Sequence, residues 1–125
     1  MTTVRSAKSK GSQFEYDCQY SLSKLYPEIY RTSERGFQLQ YDLECNTAVF
    51  ECKRLKGMSW NQALKFFTKL LERAPDGKDI YLLFKSNRQP CLVMYFNNQG
   101  DIIISTFETC FGNNIPFEKH PSTRK

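Results

Sequence analysis

The stretch YDLECNTAVFECK, residues 41–53, holds two carboxylates and an ammonium at a spacing that could do chemistry. Asp42 lies nine positions ahead of Glu51, and Lys53 follows Glu51 by two. Carboxylate oxygens are hard ligands that suit Mg²⁺, an ion that usually keeps several waters. A metal ion held there would polarise a phosphoryl oxygen and activate a bound water, while the lysine orients that water or stabilises the developing charge. This set of residues therefore suits phosphodiester hydrolysis.

A β-hairpin is predicted around these residues. In the run AVFECKR the apolar residues at 48, 50 and 52 alternate with Glu51 and Lys53, which is the two-residue period of a half-buried strand. A turn centred between residues 46 and 47 would set Asp42 directly opposite Glu51. Because like charges that face each other destabilise a sheet, such a pair needs a compensating cation. The alternative is that all three are solvated residues joined by a surface ion pair worth at most about 1 kcal/mol.

The rest of the chain predicts one α/β domain with a mixed central β-sheet flanked by helices. The apolar patterns predict helices at 12–26 and 59–74, strands at 28–32, 80–85, 91–96 and 102–107, and a short helix or turn at 109–113. The strand after the second helix can lie parallel to the Glu51 strand through a right-handed crossover. We expect a basic flexible arm at 1–10, a single domain at 11–117 and a flexible tail at 118–125.

Composition and charge favour an intracellular protein that acts on a polyanion. The chain has 125 residues and a formal net charge of +5. No apolar run approaches the roughly 18 residues of a membrane span, and the N-terminus has no apolar signal-peptide region, so we expect no membrane partner. Residues 1–10 hold three basic residues and no acid, and residues 53–73 hold six basic residues against one acid. These segments flank the carboxylates and suit a polyanionic substrate, although they could also be a solvated arm and helix face.

The five cysteines are odd in number and form no CxxC pair, which argues against a zinc site and against a disulfide framework. Cys18, Cys52 and Cys91 have apolar neighbours within predicted elements. We expect these three thiols to be reduced and mostly buried.

Glu15 on the first helix, Asp42, and the Glu51-Cys52-Lys53 set, followed by a helix and further strands, resemble the PD-(D/E)xK nuclease superfamily. Within that superfamily, KSKGSQFEYDC at residues 8–18 is similar to the opening of archaeal Holliday junction resolvases. The fold implied is the restriction-endonuclease-like fold. Tyr41 stands where the motif name has proline, which is harmless to the chemistry.

The resemblance implies a metal site and a catalytic ammonium. Glu15, Asp42 and Glu51 would bind Mg²⁺, with the backbone carbonyl of Cys52 as a further ligand and Mn²⁺ able to substitute. Lys53 would be the catalytic ammonium.

Gln62 would match a catalytic glutamine on the next helix of several branches of the superfamily. A capping box with Ser59 explains Gln62 equally well, and Ser12 with Glu15 has the same form. The RTSERG loop lies where the resolvases carry a mobile loop with a functional serine, which would be Ser33. The residues expected to contact DNA are Arg5, Lys8, Lys10, Ser33, Arg54 and Lys56.

The function expected from the resemblance is a Mg²⁺-dependent endonuclease that resolves four-way (Holliday) junctions in DNA. The small size of the chain would suit a virus or another compact genome. Two symmetric cuts require two active sites, so a homodimer is expected, with Met58 and Phe66 as candidates for the interface unless they are ordinary core residues. The alternatives are a PD-(D/E)xK nuclease that cuts other DNA or RNA, and a catalytically silent module of the same fold that binds nucleic acid or protein.

Overall fold

The computed structural model describes residues 3–35 and 41–121, with side chains from residue 12 onward within those ranges. These residues form an α/β fold with a six-stranded mixed sheet, whose strands lie side by side in chain order. The helices are α1 Thr3–Leu22, α2 Trp60–Arg73 and α3 Phe107–Phe111; the strands are β1 Tyr30–Arg31, β2 Leu43–Glu44, β3 Ala48–Arg54, β4 Asp79–Lys85, β5 Leu92–Phe96 and β6 Ile102–Thr106.

Strand β3 separates two hydrophobic clusters, as its alternating pattern predicts. Phe50 faces the first core cluster, where α1 packs on the sheet, and Val49 faces the second, where α2 packs. Helix α2 connects β3 to β4, and these two strands pair in parallel. The buried helix residues at these contacts are Phe14, Cys18 and Leu22 of α1, and Ala63, Phe67 and Leu70 of α2. The even residues of β3 therefore face α1, and the odd residues, including Glu51 and Lys53, face the α2 side.

The first helix differs from its prediction at both ends. It begins at Thr3 rather than near Ser12, so residues 3–10 are helical and are not a separate arm. Gly11 lies inside the helix because a glycine there costs only about 1 kcal/mol relative to alanine, which does not stop a helix. The predicted capping box between Ser12 and Glu15 is wrong, since Ser12 is not an N-cap. The helix ends at Leu22, whose carbonyl accepts the N–H groups of Leu25 and Tyr26.

The second helix follows its prediction closely. Ser59 is the N-cap, and its hydroxyl accepts the Gln62 N–H at 3.2 Å. The Gln62 side-chain oxygen accepts the Ser59 N–H at 3.1 Å, which completes the capping box. The structure thus confirms the structural interpretation of Gln62, whose side chain is exposed.

The C-terminal segment packs on α1 instead of beginning a free tail at residue 118. The N–H of Glu118 bonds to the Ser21 hydroxyl at 2.8 Å, and the N–H of His120 bonds to Asp17 at 2.7 Å. Phe117 packs against Phe14 in the first core cluster. Residues 122–125 lie outside the described residues.

Among the helices of the described ranges, none has both the length and the apolar character to cross a membrane.

A buried polar cluster holds the start of the hairpin. Glu44 in β2 is 8% exposed and accepts hydrogen bonds from the Tyr30 hydroxyl at 2.7 Å and from Lys78 Nζ at 2.5 Å. Lys78 also donates to the Cys45 carbonyl at 2.9 Å. Burial raises the pKa of Glu44, but the bonds from Lys78 and Tyr30 outweigh burial and leave that pKa below its ordinary value. The charged form of Glu44 therefore stabilises β1 and β2, next to Asp42.

We predict that Glu44→Gln lowers the free energy of unfolding at pH 7 by about 1–3 kcal/mol, because it leaves the half-buried Lys78 ammonium without its anion. Since the pKa of Glu44 is depressed in the folded state, this contribution is present above the unfolded value near 4.5 and is lost as pH falls below it. Denaturant unfolding at pH 7 and pH 3 measures the difference. Glu28→Gln at an exposed position is the control, and equal losses for both variants would contradict the prediction.

Candidate active site

The hairpin brings Asp42 close to Glu51, although not as a regular cross-strand pair. Leu43 pairs with Phe50 and Glu44 with Val49, which confirms the predicted register. One residue earlier, the Asp42 N–H also bonds to the Phe50 carbonyl, at 3.0 Å. Asp42 and Leu43 thus both face Phe50. Two residues opposite one residue of the partner strand form a β-bulge. The prediction that Asp42 lies directly opposite Glu51 is therefore wrong in detail, because the bulge displaces Asp42 from that pairing.

The bulge aims the Asp42 carboxylate at the middle of β3. Its Oδ2 atom accepts the backbone N–H of Cys52 at 2.8 Å. In a strand, the N–H and C=O of one residue point to the same neighbouring strand. The Cys52 carbonyl therefore also faces the Asp42 side of β3, where the resemblance requires a metal-binding carbonyl.

Glu51 is the most perturbed carboxyl at this place. Its side chain is 15% exposed. Burial, followed by repulsion from Asp42, raises the pKa of Glu51 to about 8, although the Lys53 ammonium opposes the shift. The predicted repulsion between the two carboxylates is thus present in the fold, and the Glu51 side chain is too buried for the purely solvated alternative.

Lys53 lies beside Glu51 on the α2 side of the sheet. Its Nζ is 3.5 Å from Glu51 Oε2 and 4.7 Å from the centre of the Phe66 ring. An ammonium over an aromatic face is attracted to the ring, so Phe66 restricts where Lys53 can point. Phe66 and Met58, the residues expected at a dimer interface, are half-buried and pack against the second core cluster.

Glu15 reaches the same region from α1, as the resemblance implies, but it is paired with a cation. Its Oε1 atom accepts a hydrogen bond from Arg31 Nε at 3.3 Å. Burial and then Asp42 raise the pKa of Glu15, and Arg31 partly offsets them. Sequence reasoning missed Arg31. The only signal was its place as the first residue of RTSERG, at the end of a short strand that is defined by pairing with β2 rather than by local pattern.

A metal ion of the Mg²⁺ type fits two of the three expected carboxylates. Within residues 3–35 and 41–121, no three His, Cys, Asp or Glu side chains are grouped so that they could hold a metal ion. Mg²⁺, however, is usually bound through one or two carboxylates with waters and substrate phosphates. Asp42 and Glu51 with the Cys52 carbonyl match that smaller set, whereas Glu15 faces Arg31.

The residues expected to contact DNA are only partly described. Arg54 Nη2 bonds to Asn87 Oδ1 at 2.5 Å, and both Lys56 and Ser33 are exposed. Lys85, which the sequence did not single out, lies near Arg54, and burial followed by this neighbouring charge lowers the pKa of Lys85. The side chains of Arg5, Lys8 and Lys10 lie outside the described residues.

The site that emerges is a carboxylate pair on a bulged hairpin, with one lysine beside it and an acid–arginine pair at its α1 side. Among protein-family models, curated proteins and solved structures, nothing matches this chain.

We predict that Glu51→Gln stabilises the metal-free protein at high pH. Because the pKa of Glu51 is raised to about 8 in the fold, its stabilising contribution is present below the unfolded value near 4.5 and is lost as pH rises through about 8. The glutamine has no charge to bury, so at pH 9 the variant should exceed the wild type by about 2–4 kcal/mol in free energy of unfolding, and by little at pH 5.

Denaturant unfolding at both pH values, with a chelator present, measures this difference. Glu72→Gln, which removes an exposed acid from the last turn of α2, is the matched control. A Glu51→Gln effect that does not change between pH 5 and pH 9 would count against a buried, repelled carboxyl.

Proposed function

We propose that this protein is a Mg²⁺-dependent DNA endonuclease of the PD-(D/E)xK type that resolves four-way junctions. The observation that carries the proposal is the Asp42–Glu51 pair with Lys53 beside it. Bringing two carboxylates together, one of them buried, destabilises the fold unless a cation joins them. Lys53 supplies one positive charge, and a divalent ion would supply the rest.

Asp42, Glu51 and the Cys52 carbonyl are the groups that would hold the metal. When bound, Mg²⁺ or Mn²⁺ would polarise a phosphoryl oxygen and lower the pKa of a water. The Cys52 N–H fixes the orientation of the Asp42 carboxylate, as outer hydrogen bonds do at other metal ligands. Glu15, the third ligand expected from the resemblance, is instead paired with Arg31 in this structure.

Lys53 would act on the attacking water. Its ammonium is close to Glu51, and Phe66 covers one side of it. From this position the ammonium can donate a hydrogen bond to a water bound between the carboxylates and the phosphate, or stabilise the charge that develops on the phosphoryl oxygens. Gln62 stays a weaker candidate for this site, because its side-chain oxygen already caps α2.

The order of elements supports the proposed restriction-endonuclease-like fold. A helix carrying Glu15 precedes the hairpin with Asp42 and Glu51, and α2 then leads to the parallel strand β4. This is the arrangement on which the resemblance was based. The described α/β sheet is compatible with it.

Exposed cations offer a binding surface for the phosphate backbone. Arg54 and Lys85 are neighbours at the ends of paired strands, where like charges repel unless an anion lies between them. Lys56, Lys65 and Lys69 are exposed on the segment that follows β3. Binding would therefore release counterions and weaken steeply with salt. Cutting two strands symmetrically would require a two-fold dimer, for which Met58 and Phe66 remain candidates.

The test is cleavage of end-labelled four-way junction, linear duplex and single-stranded DNA, with Mg²⁺ and with a chelator. We expect paired nicks on the junction that require Mg²⁺. Glu51→Gln and Lys53→Met should each reduce the rate at least about 100-fold, because each removes a group that acts in the transition state. Glu72→Gln, the exposed control on α2, should cut at the wild-type rate.

Each of the other outcomes would indicate a different function. Metal-dependent cutting of all three substrates would retain the active site and overturn the junction specificity. If an RNA junction tested beside these DNA substrates is cut and none of the DNA is, the substrate is RNA. A wild type that binds DNA and cuts nothing would support the catalytically silent module and refute the nuclease.

A further inference from the structure

Arg31 is held at the edge of the carboxylate site by contacts on two sides. Its Nε donates to Glu15 Oε1 at 3.3 Å, and its guanidinium carbon lies 4.2 Å from the centre of the Tyr16 ring. Both groups lie on α1, whereas Arg31 belongs to β1. The Arg31 side chain is only 13% exposed, which is unusual for an arginine on an edge strand. The helix therefore fixes the plane of the guanidinium.

The backbone ties Arg31 to Asp42. Arg31 pairs with Leu43 in the sheet. The next residue, Thr32, donates its N–H to the Asp42 carbonyl at 3.0 Å and its hydroxyl to the Tyr41 carbonyl at 2.7 Å. Glu15, the partner of Arg31, is close enough to Asp42 for that carboxylate to raise its pKa. Arg31 is thus next to the bulge that turns the Asp42 side chain toward β3.

The contacts seen in the described part of the chain do not use the terminal amino groups of Arg31. The contact with Glu15 uses Nε, and among the described residues no acceptor bonds to Nη1 or Nη2. A guanidinium presents its N–H groups in a rigid fork that matches two oxygens of a phosphate. A phosphodiester that approaches Asp42 and Glu51 meets two carboxylates, and a fixed cation beside them would add to the positive charge that Lys53 and a metal ion supply.

We propose that Arg31 binds a phosphate of the substrate at this site and that Glu15 is the positioning residue of Arg31 rather than a metal ligand. This inference rests on the proposed function. It explains why Glu15 faces a cation instead of joining Asp42 and Glu51. It also explains why a half-buried acid and an arginine both lie beside a pair of carboxylates that already repel.

The first experiment measures binding of a labelled four-way junction at several salt concentrations, with a chelator so that no cleavage occurs. Arg31→Gln should weaken binding about tenfold and lower the slope of log affinity against log salt by about 1 for each lost phosphate contact, which is about 2 for a homodimer that carries the change in both subunits. Arg31→Lys should keep the slope and lose part of the affinity, because the charge remains without the fork. Arg35→Gln is the matched control, since this exposed arginine lies over the Tyr30 ring.

Glu15→Gln separates positioning from repulsion. Removing a negative charge near a phosphate would strengthen binding if Glu15 only repelled DNA. A positioning role instead predicts weaker binding, and a double Glu15→Gln, Arg31→Gln variant no weaker than Arg31→Gln alone. Calorimetry measures the binding of Mn²⁺ without DNA. The dissociation constant of Glu15→Gln for Mn²⁺ should lie within about threefold of the wild-type value. Loss of Mn²⁺ binding in this variant would make Glu15 a ligand and overturn its positioning role.

The outcomes separate this inference from the proposed function. If the wild type binds and cuts the junction but Arg31→Gln behaves as Arg35→Gln does, the role of Arg31 is refuted and the nuclease stands. If the wild type neither binds nor cuts DNA, both are refuted. Thermal unfolding checks that each variant is folded. If Arg31→Gln is not folded, the binding of Arg31→Lys tests the role of Arg31 instead.

Discussion

The repulsion between Asp42 and Glu51 is the constraint on which the site depends. A β-bulge turns Asp42 toward β3, and the Cys52 N–H holds its carboxylate there. Burial of Glu51 and then repulsion from Asp42 raise the pKa of Glu51 to about 8, so Glu51 is protonated more readily than an ordinary glutamate. The fold loses stability to keep these groups together, which is common where a site is prepared for a ligand that the protein alone does not supply.

The surrounding structure holds the Asp42–Glu51 pair in place from two directions. On the α1 side, Glu15 and Arg31 form an ion pair next to Asp42, and Cys18 and Phe14 anchor the helix in the first core cluster. Along β2, Glu44 binds Tyr30 of β1 and Lys78, which directly precedes β4, so the strand that follows the bulge is joined to both of these strands. Rigid support of this kind is what a catalytic arrangement requires, because small displacements of reacting groups cost large factors in rate.

Local features were predictable from the sequence, and features set by distant contacts were not. The alternation along β3, the hairpin register and the Ser59–Gln62 capping box depend on residues within a few positions of one another, and the structure confirms them. The bulge at Asp42 depends on how β2 meets β3, and the pairing of Arg31 with Glu15 depends on where α1 lies. The start of α1 was not predictable, because residues 3–10 are polar and carry no apolar period, yet they continue the helix.

Calorimetric titration of Mg²⁺ into the wild type and into Asp42→Asn at pH 7, in two buffers of different ionisation enthalpy, tests the central claim most directly. If Asp42 and Glu51 form a metal site, binding should release about one proton, because the ion displaces the proton that Glu51 holds below pH 8. Asp42→Asn should lose most of the binding. Heat that does not depend on the buffer would show that Glu51 holds no proton for the ion to displace. Equal binding by the variant would show that the carboxylate pair is not where the metal binds.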